Sequence, residues 1–221
     1  MASAFLITRY RLRKNKKDAA LQQQFTRRLI ENTEEERVRI ARDLHDGVSQ
    51  ELLVLKNQIS NNHEHTNDKI DFIINGIRMI SRDLHPVMLD KIGLKSSVQH
   101  ICEQMMESNL LFITAEIDYD GGLDKNGELQ LFRMIQEALN NIVKYAGAEA
   151  AKVTLNHNDR CVFAEIVDNG KGFDVQAAMN SKNAFGLLSL MERSKAMNGK
   201  TEITSSPAGT IVKIEIPKSN V

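Results

Sequence analysis

Tryptophan is absent from the 221 residues, aromatic side chains make up 5% of them, and only two cysteines and three prolines occur. Each shortage excludes something. With so few rings the chain is a poor stacking platform for single-stranded nucleic acid. Cys102 and Cys161 stand far apart and form no CxxC pair, so neither a zinc site nor a disulfide framework is indicated, and a reducing, cytoplasmic setting is the default. The 29 basic and 29 acidic residues cancel, which argues against a broad electrostatic footprint for nucleic acid. No apolar run approaches the roughly 20 residues that a membrane-spanning helix needs. There is no internal repeat, no P-loop and no dinucleotide fingerprint. The length suits one or two compact units.

Although the net charge is zero, its distribution is uneven. The stretch "RYRLRKNKK" holds Arg9, Arg11, Arg13, Lys14, Lys16 and Lys17 with no acid among them, directly after the short apolar run "AFLIT". Basic residues collect on the cytoplasmic side of membranes, so residues 1–17 read either as the stub below a missing N-terminal span or as a solvated tail.

From about Asp18 to Ile59 the apolar residues recur at helical steps: Leu21, Phe25, Leu29, Ile40, Leu44, Val48, Leu52, Leu55 and Ile59. Neither Gly nor Pro occurs before Gly47. Thr33 followed by Glu36 has capping-box spacing, so a helix restarting near residue 33 competes with one long rod. "NNHEHTND" reads as a turn, and its His63 and His65 lack nearby thiolates for a metal site. A second amphipathic helix runs from about Asp68 to Leu84, with Ile70, Ile73, Ile74, Ile77 and Ile80 facing inward, and Pro86 ends it. Two helices cannot enclose a core, so a dimeric four-helix bundle is expected from paired hairpins. On the first helix His45 sits at the edge of the apolar stripe, with Asp46 beside it and Gln50 one turn beyond.

After Pro86 the pattern turns to mixed helix and strand. "KSSVQHICEQMMES" is helical, "LLFITAEID" is strand-like and residues 125–146 form an amphipathic helix. "AKVTLNH" and "RCVFAEIVD" pair as a hairpin, "FGLLSLMERSKAMNG" is a helix stopping at Gly199, and "KTEITSS" and "TIVKIEI" close the chain as a second hairpin. This predicts an α+β sandwich with a largely antiparallel or mixed sheet and helices on one face.

Two constellations could carry chemistry. On residues 125–146, Leu131, Ile135, Leu139 and Ile142 mark the buried side, whereas Glu137, Asn141 and Lys144 fall together on the other. A carboxylate, an amide oxygen and an ammonium suit a Mg²⁺–phosphate group, and equally a solvated helix face. The second is "IVDNGKGFD", in which a strand delivers Asp168 and then Gly170 and Gly172 free the backbone. Such a turn can approach a nucleotide while the carboxylate accepts from an adenine amino group, or it can be a hairpin turn. The polar stretch "VQAAMNSKNA" that follows looks like a mobile loop over a ligand.

These pieces, in this order, resemble the sensor histidine kinases of two-component systems, in the branch that includes nitrate sensors and membrane-fluidity sensors. "ERVRIARDLHDGVSQ" is similar to the phosphoacceptor motif of that branch, "QEALNNIVKYAGA" to its N box, "DNGKGF" to the first glycine box, "FGLLSLMER" to the second and "AGTIVKIEIP" to the closing strand. The resemblance implies a helical dimerisation and phosphoacceptor domain at residues 18–88 and an ATP-binding sandwich of the Bergerat (GHKL) type at 89–221. It implies autophosphorylation of His45 by ATP, with Asp46 orienting the imidazole. Transfer to the receiver domain of a response regulator follows, and Gln50 would position water for dephosphorylating that regulator. Asn141 would hold Mg²⁺, Glu137 would act catalytically by assisting at the metal or its water, Lys144 would contact phosphate and Asp168 would read adenine. Gly170, Gly172 and Gly186 would shape the lid, and Thr210 would line the site. It further implies a homodimer that binds no nucleic acid, the cytoplasmic portion of an inner-membrane sensor and itself soluble.

Two departures stand out against that pattern. Tyr145 occupies a position where many relatives have His, and Ala184 and Ser189 replace glycines often found in the second glycine box. Two other readings predict different behaviour: an ATPase or serine kinase would act without His45, and a dimeric scaffold that only senses ATP would bind nucleotide without covalent phosphate.

Overall fold

The structure, a computed structural model, describes residues 87–108, 111–181 and 185–218, and before them 24, 28–30, 32–41, 44, 48, 50, 52–54, 70, 73, 74 and 77. Two compact units are distinguished, a first of Arg28–Lys91 and a second that contains Ile92–Val221. His45, Asp46, the "AFLIT" run with its basic residues, the "NNHEHTND" turn and Ala184 lie outside the described residues. Among the described residues no helix is long and apolar enough to cross a membrane.

In the first unit all described residues up to Ile77 are helical, with Ala41, Ile70 and Ile74 buried. The capping box does not form. Thr33 Oγ1 donates to the carbonyl of Leu29, four residues back, at 2.7 Å, which is the bond of a hydroxyl inside a helix and not of an N-cap. Ile73, predicted to face inward, is exposed, as are Leu29, Ile40, Val48, Leu53 and Val54.

A helical segment, α1 (Val87–Ser108), whose residues from Ile92 onward belong to the second unit, contains a break at Gly93 (φ 73°, ψ 175°). Sequence periodicity placed this helix only from about Lys95; the turn before the glycine is an addition. Leu94, Val98, Ile101 and Cys102 are buried. Burial, with Glu103 adding to it, pushes the Cys102 thiol up from 9.0 to about 12. The folded chain therefore keeps a proton that the unfolded chain releases above pH 9, and the stabilisation from this group is lost between pH 9 and about 12. At pH 8, alkylation of Cys102 is expected to follow unfolding; labelling at the rate of a free thiol in the native protein would contradict its burial.

Among the described residues five strands follow in the spatial order β1-β2-β3-β5-β4: β1 (Phe112–Ile117), β2 (Ala150–His157), β3 (Cys161–Asp168), β4 (Lys200–Ser206) and β5 (Gly209–Pro217). β1 pairs parallel with β2 and the other pairs are antiparallel, as in the mixed sheet expected. The parallel pair needs a crossover, and α2 (Lys125–Asn141) supplies it. Asp124 caps α2 by accepting from Gly127 N at 2.7 Å. Tyr119 donates its hydroxyl to Glu128 at 2.9 Å, and burial, then that bond, raise its phenol well above the ordinary value.

Alternation along the strands puts Val153, Leu155, Ala164, Ile166, Val212 and Ile214 on one buried face. In register, Val153 pairs with Ile166 and Ile166 with Val212. Leu131, Ile135 and Leu139 of α2 are fully buried, and α2 packs against β3 and against α4 (Phe185–Ala196). Each such aliphatic side chain contributes roughly 1.5–3 kcal/mol on burial. The opposite sheet face carries exposed pairs such as Lys152–Glu116 at 2.7 Å and Lys213–Glu165 at 3.1 Å.

Two local expectations need correction. The stretch after Gly172 is not all loop: Val175–Met179 forms a short helix, α3, capped by Asp174, which accepts from Ala177 N at 2.9 Å. α4 ends at Ala196, and the left-handed residue is Asn198 (φ 56°), not Gly199. Gly199 is needed for space instead, since a Cβ there would stand 2.4 Å from the carbonyl oxygen of Glu215.

Candidate functional site

α2 does not end as a plain α-helix. It continues into a wider π-type turn, Ile142–Ala146, which closes at Gly147 in the left-handed region (φ 59°). Turns of this kind recur at functional sites. Here the helix and its final turn carry Glu137, Asn141, Lys144 and Tyr145 to the wall of one cavity of about 690 Å³. That volume lies within the usual range for small-molecule and cofactor pockets.

β3 supplies the next group. Its alternation places Asp168 on the buried face, two positions after Ile166, and the residue is 6% exposed at the cavity. Asp168 Oδ1 accepts from Gly170 N at 2.7 Å, which ties the carboxylate to the following loop. Asn169 does not make the hairpin turn that Asn-Gly can signal. Its Oδ1 accepts from the backbone N–H groups of Glu149 and Ala150, at 3.0 and 2.9 Å, and clamps the start of β2 to the end of β3.

The glycines are explained by close approach. A Cβ at Gly170 would stand 2.5 Å from the carbonyl oxygen of Ala146, beside the Lys171 N–H bond to that same oxygen at 3.0 Å. Gly172 has φ 63°, and its Cβ would stand 1.9 Å from the carbonyl oxygen of Ser206. Ser205 Oγ then links the walls, accepting from Phe173 N at 2.9 Å and lying 2.9 Å from Thr210 Oγ1. Gly186, at the start of α4, leaves so little room that its Cβ would meet Glu137 Oε1 at 2.2 Å.

Of the residues singled out in the ATP-binding half, Glu137, Asn141, Lys144, Asp168, Gly172, Gly186 and Thr210 all line this cavity. Gly170 stands behind it, bonded to Asp168. Gln50 is helical and exposed in the other unit. Sequence reasoning missed the second lysine at the wall, Lys171, and the apolar floor of Ile166, Leu190, Ile203 and Val212. The floor was foreshadowed: Ile166 lies two positions before Asp168, and Val212 two after Thr210, on the same face of their strands. Gly209 was missed as well. Its Cβ would stand 1.9 Å from the carbonyl oxygen of Asp168, at φ 125°.

Asn141 Nδ2 donates to Glu137 Oε1 at 3.4 Å, so an amide and a carboxylate one turn apart face the same space. Among the described residues there is no cluster of three or more His, Cys, Asp or Glu able to enclose a metal by itself. Two oxygen-bearing side chains on a helix fit Mg²⁺, which binds through one or two protein groups and completes its octahedron with phosphate and water.

Two segments match known protein families. Residues 36–85, which include His45, match the family described as "Histidine kinase". Residues 126–220 match "Histidine kinase-, DNA gyrase B-, and HSP90-like ATPase". The sensor histidine kinase MctS of Rhizobium johnstonii is 33% identical over 212 residues, covering 88% of this chain and 46% of that protein. The sensor histidine kinase LiaS of Bacillus subtilis is 32% identical over 198 residues, covering 83% and 54%. The chain thus spans about half the length of these relatives. A blue-light activated histidine kinase of Erythrobacter litoralis has a similar structure, with a TM-score of 0.53 at 14% identity, over 82% of this chain and 59% of that one. At that identity the likeness concerns the fold, and it agrees with the α+β sandwich of Bergerat type expected from the sequence.

Proposed function

The chain belongs to the histidine kinase family of two-component systems, and from that premise we propose that it transfers the γ-phosphoryl group of ATP to His45. The observation that carries this reading is the convergence of Glu137, Asn141, Lys144, Asp168 and Thr210, from three separate segments, on a single cavity. In this assignment residues 18–88 form the phosphoacceptor domain and 89–221 the ATP-binding domain, with 1–17 as a basic tail or juxtamembrane stub.

Phosphoryl transfer needs mainly positioning and charge stabilisation. Asp168 accepts from the adenine amino group while its other oxygen stays with Gly170 N. Ile166, Leu190 and Val212 exclude water around the base. Lys144 meets the phosphates, and Lys171 adds a second positive charge at the wall. Asn141 and Glu137 would hold Mg²⁺, which would offset phosphate charge. Asp46 keeps the imidazole of His45 in the tautomer that presents a neutral nitrogen. As the N–P bond forms, the bond from the γ-phosphorus to the β,γ-bridging oxygen breaks. ADP leaves with that electron pair and the imidazole proton passes to Asp46 or solvent.

The phosphoryl group then moves to an aspartate of a receiver domain, exchanging an N–P for an O–P bond, and Gln50 positions water for its later hydrolysis. A homodimer accounts for the apolar residues that one chain leaves exposed in its first unit, Leu29, Ile40, Val48, Leu53, Val54 and Ile73.

With Mg²⁺ and γ-labelled ATP the protein is expected to acquire an acid-labile, alkali-stable label that is absent from the His45→Ala variant. Acid-stable label surviving the substitution would move the assignment to a serine kinase, and nucleotide binding without any label to an ATP-sensing scaffold.

A further inference from the structure

A close contact and a hydrogen bond between α2 and α4 are equally spaced on the two helices. At one, Gly186 lies against Glu137 Oε1. At the other, Arg193 Nη1 donates to Gln130 Oε1. Glu137 follows Gln130 by seven residues and Arg193 follows Gly186 by seven. The helices therefore run antiparallel along one seam, with the contacts about 10 Å apart on each.

Gln130 is 2% exposed, and its orientation is set, because its Nε2 donates to Asn126 Oδ1 at 3.3 Å. Arg193 is set from its own helix by donating Nε to Ser189 Oγ at 3.2 Å. Ser189 is one of the positions where relatives often have glycine, and here its hydroxyl supplies an acceptor that glycine lacks. Apolar packing holds a helix by shape, and a buried amide paired with a guanidinium adds a directional constraint, because a shift along the helix would carry the donor away from this acceptor.

We infer that Arg193 is a positioning residue: with Gln130 and Ser189 it fixes the register of α4 along α2, and so sets Gly186 against Glu137 at the cavity wall. Its catalytic consequence rests on the ATP-site reading above; its structural consequence does not. Losing the Arg193–Gln130 contact lets the start of α4 drift, and a displacement of a fraction of an ångström at Glu137 is enough to lower turnover.

The test uses the full chain with Gln130→Met, which conserves volume without an acceptor, Gln130→Glu, which keeps one, and Arg193→Lys, each also combined with Glu137→Gln. In wild-type background Arg193→Lys and Gln130→Met are expected to lower kcat for autophosphorylation about tenfold, and Gln130→Glu to leave it within about twofold. In the Glu137→Gln background the same changes lose their effect, because the group they position is gone. In amide NMR spectra recorded without nucleotide, Arg193→Lys is expected to shift the Gly186 and Asn141 resonances. Equal fold losses in both backgrounds, or unmoved Gly186 and Asn141 resonances, would overturn the inference. If the wild type itself forms no phosphohistidine, the kinase reading falls, and the NMR comparison still decides the role of Arg193.

Discussion

Asp168→Asn is expected to weaken ADP and ATP binding at least about 100-fold while leaving the sheet folded. The substitution is nearly isosteric, and the side-chain oxygen that accepts from Gly170 N at 2.7 Å is retained. In the proposed binding mode the other oxygen is what changes, becoming an NH₂ group that would face the adenine NH₂. A hydrogen bond to a charged acceptor contributes about 1.5–3 kcal/mol, and an orphaned donor adds a penalty of similar size; each 1.4 kcal/mol is tenfold. Calorimetric titration with ADP, beside a circular-dichroism melt, measures both halves. Affinity within about threefold of wild type, with the fold intact, would mean that the base is not read at Asp168. Asp168→Ala would lose more, since the Gly170 N–H would then also lack its acceptor.

The second large effect is expected from Gly172→Ala, and it acts on both stability and binding. The left-handed φ of 63° costs an L-residue roughly 1–2 kcal/mol. In addition, the new methyl carbon would stand 1.9 Å from the carbonyl oxygen of Ser206 and 2.6 Å from its carbon, both backbone atoms that no rotamer change can clear. Relief requires either the loop or the β4–β5 turn to move, breaking the Phe173 N–H bond to Ser205 and the Ser205–Thr210 contact. A total of about 3–5 kcal/mol corresponds to a melting temperature lower by roughly 10 °C for a protein of this size. Nucleotide binding is expected to be lost together with it. A variant that melts and binds like wild type would show that the loop tolerates a side chain. Gly147, also at positive φ but with open space around its Cβ, makes the appropriate comparison: alanine there incurs the backbone cost alone.

Much of the ATP-binding half was legible from residue order because its signals are local. Asp168 and Thr210 fall on the buried face by strict alternation along β3 and β5. Glu137, Asn141 and Lys144 share a helix side by simple angular arithmetic. The capping-box spacing of Thr33 and Glu36 was equally local but left two alternatives open, and the hydroxyl bonds backward to the carbonyl of Leu29, as it does inside a helix. Gly199 misled for another reason. A glycine after a helix suggests a left-handed cap, whereas here Asn198 takes that conformation and Gly199 makes room for β5.

The primary structure alone settled which chemical groups are present and on which local face each lies, since helix and strand periods act within a few residues. Folding decided which of those faces meet. Gly209 against Asp168, Gly172 against Ser206 and Arg193 against Gln130 join positions from about 34 to 63 residues apart. None leaves a periodic trace, because the space available to a Cβ and the partner available to a buried amide are properties of packed elements, not of the segment that contains them.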